Sequence, residues 1–182
     1  MALAKKDLKK YGDLVLGAGA TTVKVISPIS VVTAPWVRWK CQFGCGGYGH
    51  NYCCPPDTPT PEETRRVLDG YGRALLCHIE TAATPDRRRL LKRFRQGLIA
   101  LEGELFKDGY YKAFAFLAGP CNSCEACGKE RGEPCADRFR ARPSMEACGI
   151  DVYQTVRNNG LSIEPLKSKQ EPRNTFCLLL VD

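Results

Sequence analysis

A chain of 182 residues with a formal charge of +7 is long enough to bury a core without crosslinks, and its modest basic excess reads as a solvated surface with basic faces. No apolar run approaches the roughly eighteen residues that cross a bilayer, and residues 1–10 lack the apolar stretch of a secretion signal, so a soluble cytoplasmic protein is expected. Eleven cysteines, an odd number for a reducing compartment, then argue against a disulfide framework and for metal ligation.

In chain order, residues 1–12 are expected to form a short amphipathic helix, followed by a glycine-alanine turn at 17–20. The β-branched stretches 21–27 and 29–33, interrupted by Pro28, predict a hairpin or a bent pair of strands. Trp36 and Trp39 lead into Cys41 and should pack in the core or lie as a lid over the first cysteine group. Residues 41–50, rich in glycine, predict a tightly wound loop whose backbone approaches a cofactor closely, stopped stiffly by Cys54-Pro55-Pro56. Thr60, Pro61 and Glu63 carry the signature of a capped helix running to about Leu68. Residues 73–80 predict a strand holding Cys77 and His78.

The longest helix opens on Thr84-Pro85-Asp86, places Leu90, Leu91, Phe94, Leu98, Leu101 and Leu105 at three- and four-residue steps, and ends near Gly109. Its other face, with Arg87, Arg88, Lys92 and Arg95, reads as a solvated stripe and not as a nucleic-acid surface. Residues 110–117 predict a strand that delivers Gly119-Pro120-Cys121 at its carboxyl end, where open α/β sheets build their sites. A helix from Arg142 through Val156 to Gly160, and a strand over 175–181, complete the chain. The whole reads as one α/β domain over 1–182, with α+β as the variant: a mixed sheet, flanking helices, and cysteine loops at 41–56 and 119–148.

Those loops hold the chemistry. Cys121, Cys124, Cys127 and Cys135 stand at Cys-x2-Cys-x2-Cys-x7-Cys. Two-residue spacers let successive thiolates converge on a cubane cluster, whereas zinc favours two separated Cys-x2-Cys knuckles, so a [4Fe-4S] cluster is preferred and zinc is the alternative. The last gap is longer than in ferredoxins, and Pro134 precedes the final cysteine where a proline would normally follow it. Upstream, Cys41, Cys45 and Cys54 supply three sulfurs for a second cluster. Its fourth corner falls to Cys53, His50, Cys77, a cysteine of the other group, or a small ligand at an open iron; a single site shared by both groups is also open. Cys77, Cys148 and Cys177 read as small buried hydrophobes, and His78 as a strand residue. No Ser-His-Asp order, phosphate loop, dinucleotide fingerprint or HExxH motif occurs.

Together, Cys41, Cys45, Tyr48-Gly49 and Cys54-Pro55-Pro56, with Gly119-Pro120-Cys121, Cys124, Cys127, Cys135, the run Arg142-Pro143-Ser144-Met145-Glu146-Ala147 and Gly149-Ile150-Asp151-Val152, resemble the cysteine-rich proteins of domain-of-unknown-function family 2284. The resemblance implies metal binding, by iron-sulfur clusters, in anaerobic bacteria and archaea. Cys53 and Cys148 fall outside the family pattern, which weakens their claim to be ligands. The function expected first is cytoplasmic one-electron transfer through one or two [4Fe-4S] clusters, with Arg131, Arg138, Arg140 and Arg142 tuning the charge or docking an acidic redox partner. The rivals are an enzyme that binds a small molecule at the open iron of the Cys41, Cys45 and Cys54 group, as Lewis acid or sulfur acceptor, and a zinc-stapled interaction module.

Overall fold

The computed structural model describes residues 8–182. Its elements are α1 (Lys9–Gly17), β1 (Thr22–Ile26), α2 (Pro35–Gly44), α3 (Pro61–Asp69), β2 (Ala74–Thr81), α4 (Arg87–Lys107), β3 (Phe114–Phe116), α5 (Val152–Asn158) and β4 (Arg173–Leu180). Successive strand side chains point to opposite faces, and both faces of this sheet are covered. On one side Leu75, Cys77 and Ile79 of β2, with Cys177 and Leu179 of β4, pack on Val15 of α1 and on Phe94, Leu98 and Leu105 of α4. On the other, Leu76, Phe176, Leu178 and Leu180 meet Leu68 of α3 and Val152 and Val156 of α5. Burial on both faces explains why β2 and β4 read as nearly continuous apolar runs. Truncating the fully buried Phe94 to alanine would cost ~3–5 kcal/mol.

The α/β class holds, but the sheet is not mixed. Strand order is β1-β2-β4-β3, and every neighbouring pair is antiparallel. A β2-α4-β3 crossover with parallel strands is present, yet β4 inserts between its two strands and pairs with both. Among the described residues, parallel pairing is confined to the bridge between Leu117 and Ser144.

Local signals explain most element ends. Thr60 and Glu63 form a reciprocal capping box, with Pro61 in the first turn of α3. α4 differs: it starts at Arg87 with no side-chain cap from Asp86, and Thr84 contributes only its carbonyl, 3.1 Å from Arg87 N. Residues 1–7 of the expected first helix lie outside the described residues, and α1 continues to Gly17. Only Thr22–Ile26 of the expected hairpin is a strand, because Pro28, which has no N–H to donate, opens a 3-10 turn. The strand expected over 110–117 shortens to Phe114–Phe116, since Tyr110 and Ala113 close a turn through a 3.0 Å bond. The helix expected from Arg142 breaks at Gly149, whose φ of +75° ends a 3-10 turn at Glu146–Cys148; α5 then restarts with Asp151 capping Gln154 N. No helix among the described residues is long and apolar enough to cross a membrane.

Candidate metal centre

The upstream cysteines sit on a helix end and a winding turn. Cys41 belongs to the last turn of α2, contrary to the expected loop, because Pro35 presets the first helical φ and the next five residues contain no glycine. The loop begins at Cys45, whose N–H still bonds Cys41 O at 3.3 Å. Gly49, at φ +77°, then folds the chain back so that its N–H reaches Pro55 O at 2.9 Å. Asn51 organises the turn that carries Cys53 and Cys54: its Oδ1 accepts from Cys53 N at 3.0 Å, and its Nδ2 donates to Cys54 Sγ at 3.1 Å. Trp36 and Trp39 are exposed on α2 and do not enter the core; Trp36 lines a cavity together with Cys41 and Cys45.

Downstream, β3 leads through the Leu117–Ser144 bridge to Gly119, whose φ of +69° turns the chain into Cys121. The seven residues between Cys127 and Cys135 fold into a 3-10 turn, Gly128–Arg131, closed by Gly132 in the left-handed region and by Glu133 N bonding Gly128 O at 2.9 Å. Gly128 is required there, since a Cβ would lie 2.7 Å from Pro134 O. The long gap therefore doubles back and returns Cys135 to its companions.

Three contacts strap the two loops together: the Lys129–Asp57 ion pair, His50 Nδ1 with Glu130 Oε1 at 2.7 Å, and Tyr52 hydroxyl donating to Glu133 O at 2.8 Å. Between them lies a cavity of about 290 Å³ whose wall includes Cys121, Cys124, Cys127 and Cys135, and also Cys53 and His50. Among the described residues no three potential ligands are placed to hold one metal ion, although the sulfurs share a wall. The donor set nevertheless suits a thiophilic metal, because five thiols face one space and one of them is already activated. The Cys53 thiol donates to Cys121, and that bond, helped by Ser123, pulls the Cys121 thiol down to about 5. Cys53 is pushed up by the same bond and by burial. Both neighbours favour the thiolate of Cys121, the form that ligates metal.

Residues 24–181 match domain-of-unknown-function family 2284, described as predicted metal-binding proteins. The chain belongs to this family. No curated protein and no solved structure matches it.

In this member of family 2284 the upstream trio is set apart from the main cavity. Cys41 and Cys45 line a neighbouring space of about 450 Å³, and Cys54 is buried within electrostatic reach of both Cys45 and Cys121. Burial raises the Cys41 and Cys54 thiols. Cys77 and Cys177 face each other across β2 and β4, fully buried, and Cys148 packs in the opposite core with its thiol pushed up to about 12, so these three belong to the core as expected. His78 stacks on Phe176 at 4.5 Å and bonds Asn174, away from either thiol group. All eleven cysteines are free of disulfides.

Sequence reasoning misses two features. Cys53, which lies outside the family pattern, stands on the wall of the main cavity in contact with Cys121. The downstream arginines are largely neutralised: Arg131 pairs with Glu133, Arg140 with Asp137, and Arg142 with Glu102. Lys92 and Arg95 of α4 also turn toward the cysteine loop, lining a space of about 290 Å³ with Cys121, Ser123 and the paired Arg140 and Arg142. Spacing along α4 could have found them, since they fall beside Leu91 at the edge of its apolar stripe.

Proposed function

We propose that this family 2284 protein is an iron-sulfur protein of the cytoplasm, with Cys121, Cys124, Cys127 and Cys135 as ligands of a [4Fe-4S] cluster and Cys41, Cys45 and Cys54 as a second set, serving one-electron transfer. The carrying observation is that four thiols spread over fifteen residues line a single cavity, one of them with its thiolate favoured by its neighbours. Such a cluster, when bound, supplies reversible one-electron redox chemistry without proton transfer. The chain's own residues do the positioning. The loop straps hold the ligand-bearing segments, Cys53 and Ser123 favour the thiolate of Cys121, and Lys92 and Arg95 offset negative charge and favour an acidic partner.

Anaerobic purification with iron, sulfide and zinc analysis tests this reading. About four irons per chain correspond to one filled set and about eight to two. Zinc without sulfide refutes it in favour of the zinc-stapled module. Cys135→Ala should lose or convert one cluster, and unchanged iron would remove Cys135 from the ligand set.

One observation favours a second reading. The upstream trio has three sulfurs, and two of them border a cavity large enough for a small organic molecule, as an open iron acting on a substrate requires. A cluster spectrum altered by an added small ligand would support it; an unresponsive spectrum with four sulfur ligands at every iron site would exclude it.

A further inference from the structure

The cavity beside Cys41 and Cys45 lies between α2, the first half of α4, residues 118–119 and β4. Trp36, Leu91, Ile150 and Phe176 give it an apolar lining. Five charged side chains interrupt that lining, Lys40, Arg95, Glu146, Asp151 and Arg173, and two of them each have a buried polar atom without a hydrogen-bond partner: Nε of Arg95 and Oε2 of Glu146. An unmet donor and an unmet acceptor on one apolar wall are unfavourable unless something enters to satisfy both. The two side chains do not pair with each other. The guanidinium lies close against the turn that presents Cys121, since a Cβ on Gly119 would come within 3.2 Å of Arg95 Nη2. On its far side Arg95 shares a second space with Lys92 and Arg140, which adds positive potential for an anion.

We propose that this cavity binds a small organic acid whose carboxylate meets Arg95, whose adjacent hydroxyl or ammonium meets Glu146, and whose apolar body rests on Trp36, Leu91 and Phe176: an apolar α-hydroxy or α-amino acid. A plain carboxylate would leave Glu146 unmet, and a polar body would leave the apolar surface of Trp36, Leu91 and Phe176 uncovered. The assignment stands on Arg95 and Glu146 and not on which metal the cysteines hold.

Calorimetric titration of the full chain with 2-hydroxy-3-methylbutanoate, valine and 3-methylbutanoate, at one pH and ionic strength, tests it. One or both of the first two bind saturably, and whichever binds identifies the donor; 3-methylbutanoate, which lacks it, binds on the order of tenfold more weakly. Arg95→Gln weakens binding by on the order of tenfold or more, while Arg88→Gln, which removes an exposed charge from the same helix, leaves it unchanged. Leu91→Trp fills the apolar half and abolishes binding without changing the far-ultraviolet circular dichroism, and it decides the matter if Arg95→Gln does not fold. Absence of saturable binding for all three acids, undiminished binding by Arg95→Gln or by a folded Leu91→Trp, or 3-methylbutanoate binding as tightly as the others, overturns the proposal.

Discussion

Replacing Arg142 with methionine should be among the most destabilising single changes near the cysteine loop. Arg142 reaches from the end of that loop to α4, where its Nε and Nη2 meet the two carboxylate oxygens of Glu102 at 2.9 and 2.5 Å. Both side chains are mostly removed from water, at 16% and 13% exposure. The same carboxylate accepts from Ala115 N at 2.9 Å, and Arg142 Nη1 donates to Ala141 O at 2.8 Å, so one ion pair ties α4, β3 and the loop. Removing one partner of such a pair leaves an uncompensated charge and costs about 3–5 kcal/mol. At roughly 2–4 °C per kcal/mol for a chain of this size, melting should fall by roughly 6–20 °C. Urea unfolding of the metal-free chain, followed by circular dichroism, measures the cost directly. Adding Glu102→Leu should restore most of the loss, leaving about 1 kcal/mol for the unmet Ala115 N–H. A single-variant cost below about 1 kcal/mol, or a double variant no better than the single, would show that water screens the pair and that the tie is dispensable.

Three further outcomes are expected. In metal-free protein, alkylation of Cys121 should follow a thiolate with a midpoint near 5, and Cys53→Ala should move that midpoint up toward about 8.5 by removing the donor that favours the charged form; an unmoved midpoint would break the assigned Cys53–Cys121 bond. Gly149→Ala should cost roughly 2–5 kcal/mol, combining a left-handed backbone at φ +75° with a Cβ placed 2.8 Å from Pro61 Cβ, and melting at the wild-type temperature would contradict the close approach. Cys177→Ala should keep the wild-type metal content while losing about 1 kcal/mol of stability, and loss of metal would return this buried core cysteine to the candidate ligands.

Where local chemistry decides, the fold is legible in the sequence. The capping box at Thr60 and Glu63 and the apolar steps of α4 each depend on neighbours within a turn or two, and each appears where its residues place it. The misses share a different cause. Nothing within residues 173–180 says that β4 slides between β2 and β3, because strand order is set by which faces remain to be covered once α4 has packed. The break at Gly149 is hidden for a related reason: a glycine inside a helical pattern reads as a tolerated defect, and only the approach of Pro61 from α3 makes it a corner.

The site divides along the same line, and the dipeptide Cys53-Cys54 shows how. By spacing alone, adjacent cysteines rarely aim at one point, which favours Cys54 as a ligand and leaves Cys53 as one candidate among several for the fourth corner of the same set. In the turn organised by Asn51 the two thiols serve different neighbours. Cys53 bonds Cys121 on the wall of the main cavity, while Cys54 accepts from Asn51 and lies within reach of Cys45. A spacing rule registers how far apart sulfurs are along the chain but not which way a turn aims them. The consequence is that the two cysteine groups, some seventy residues apart, join through a single peptide unit. A change of charge at Cys121 is felt at both Cys53 and Cys54. Filling the downstream set should therefore alter the reactivity of Cys54 even where the upstream trio binds nothing.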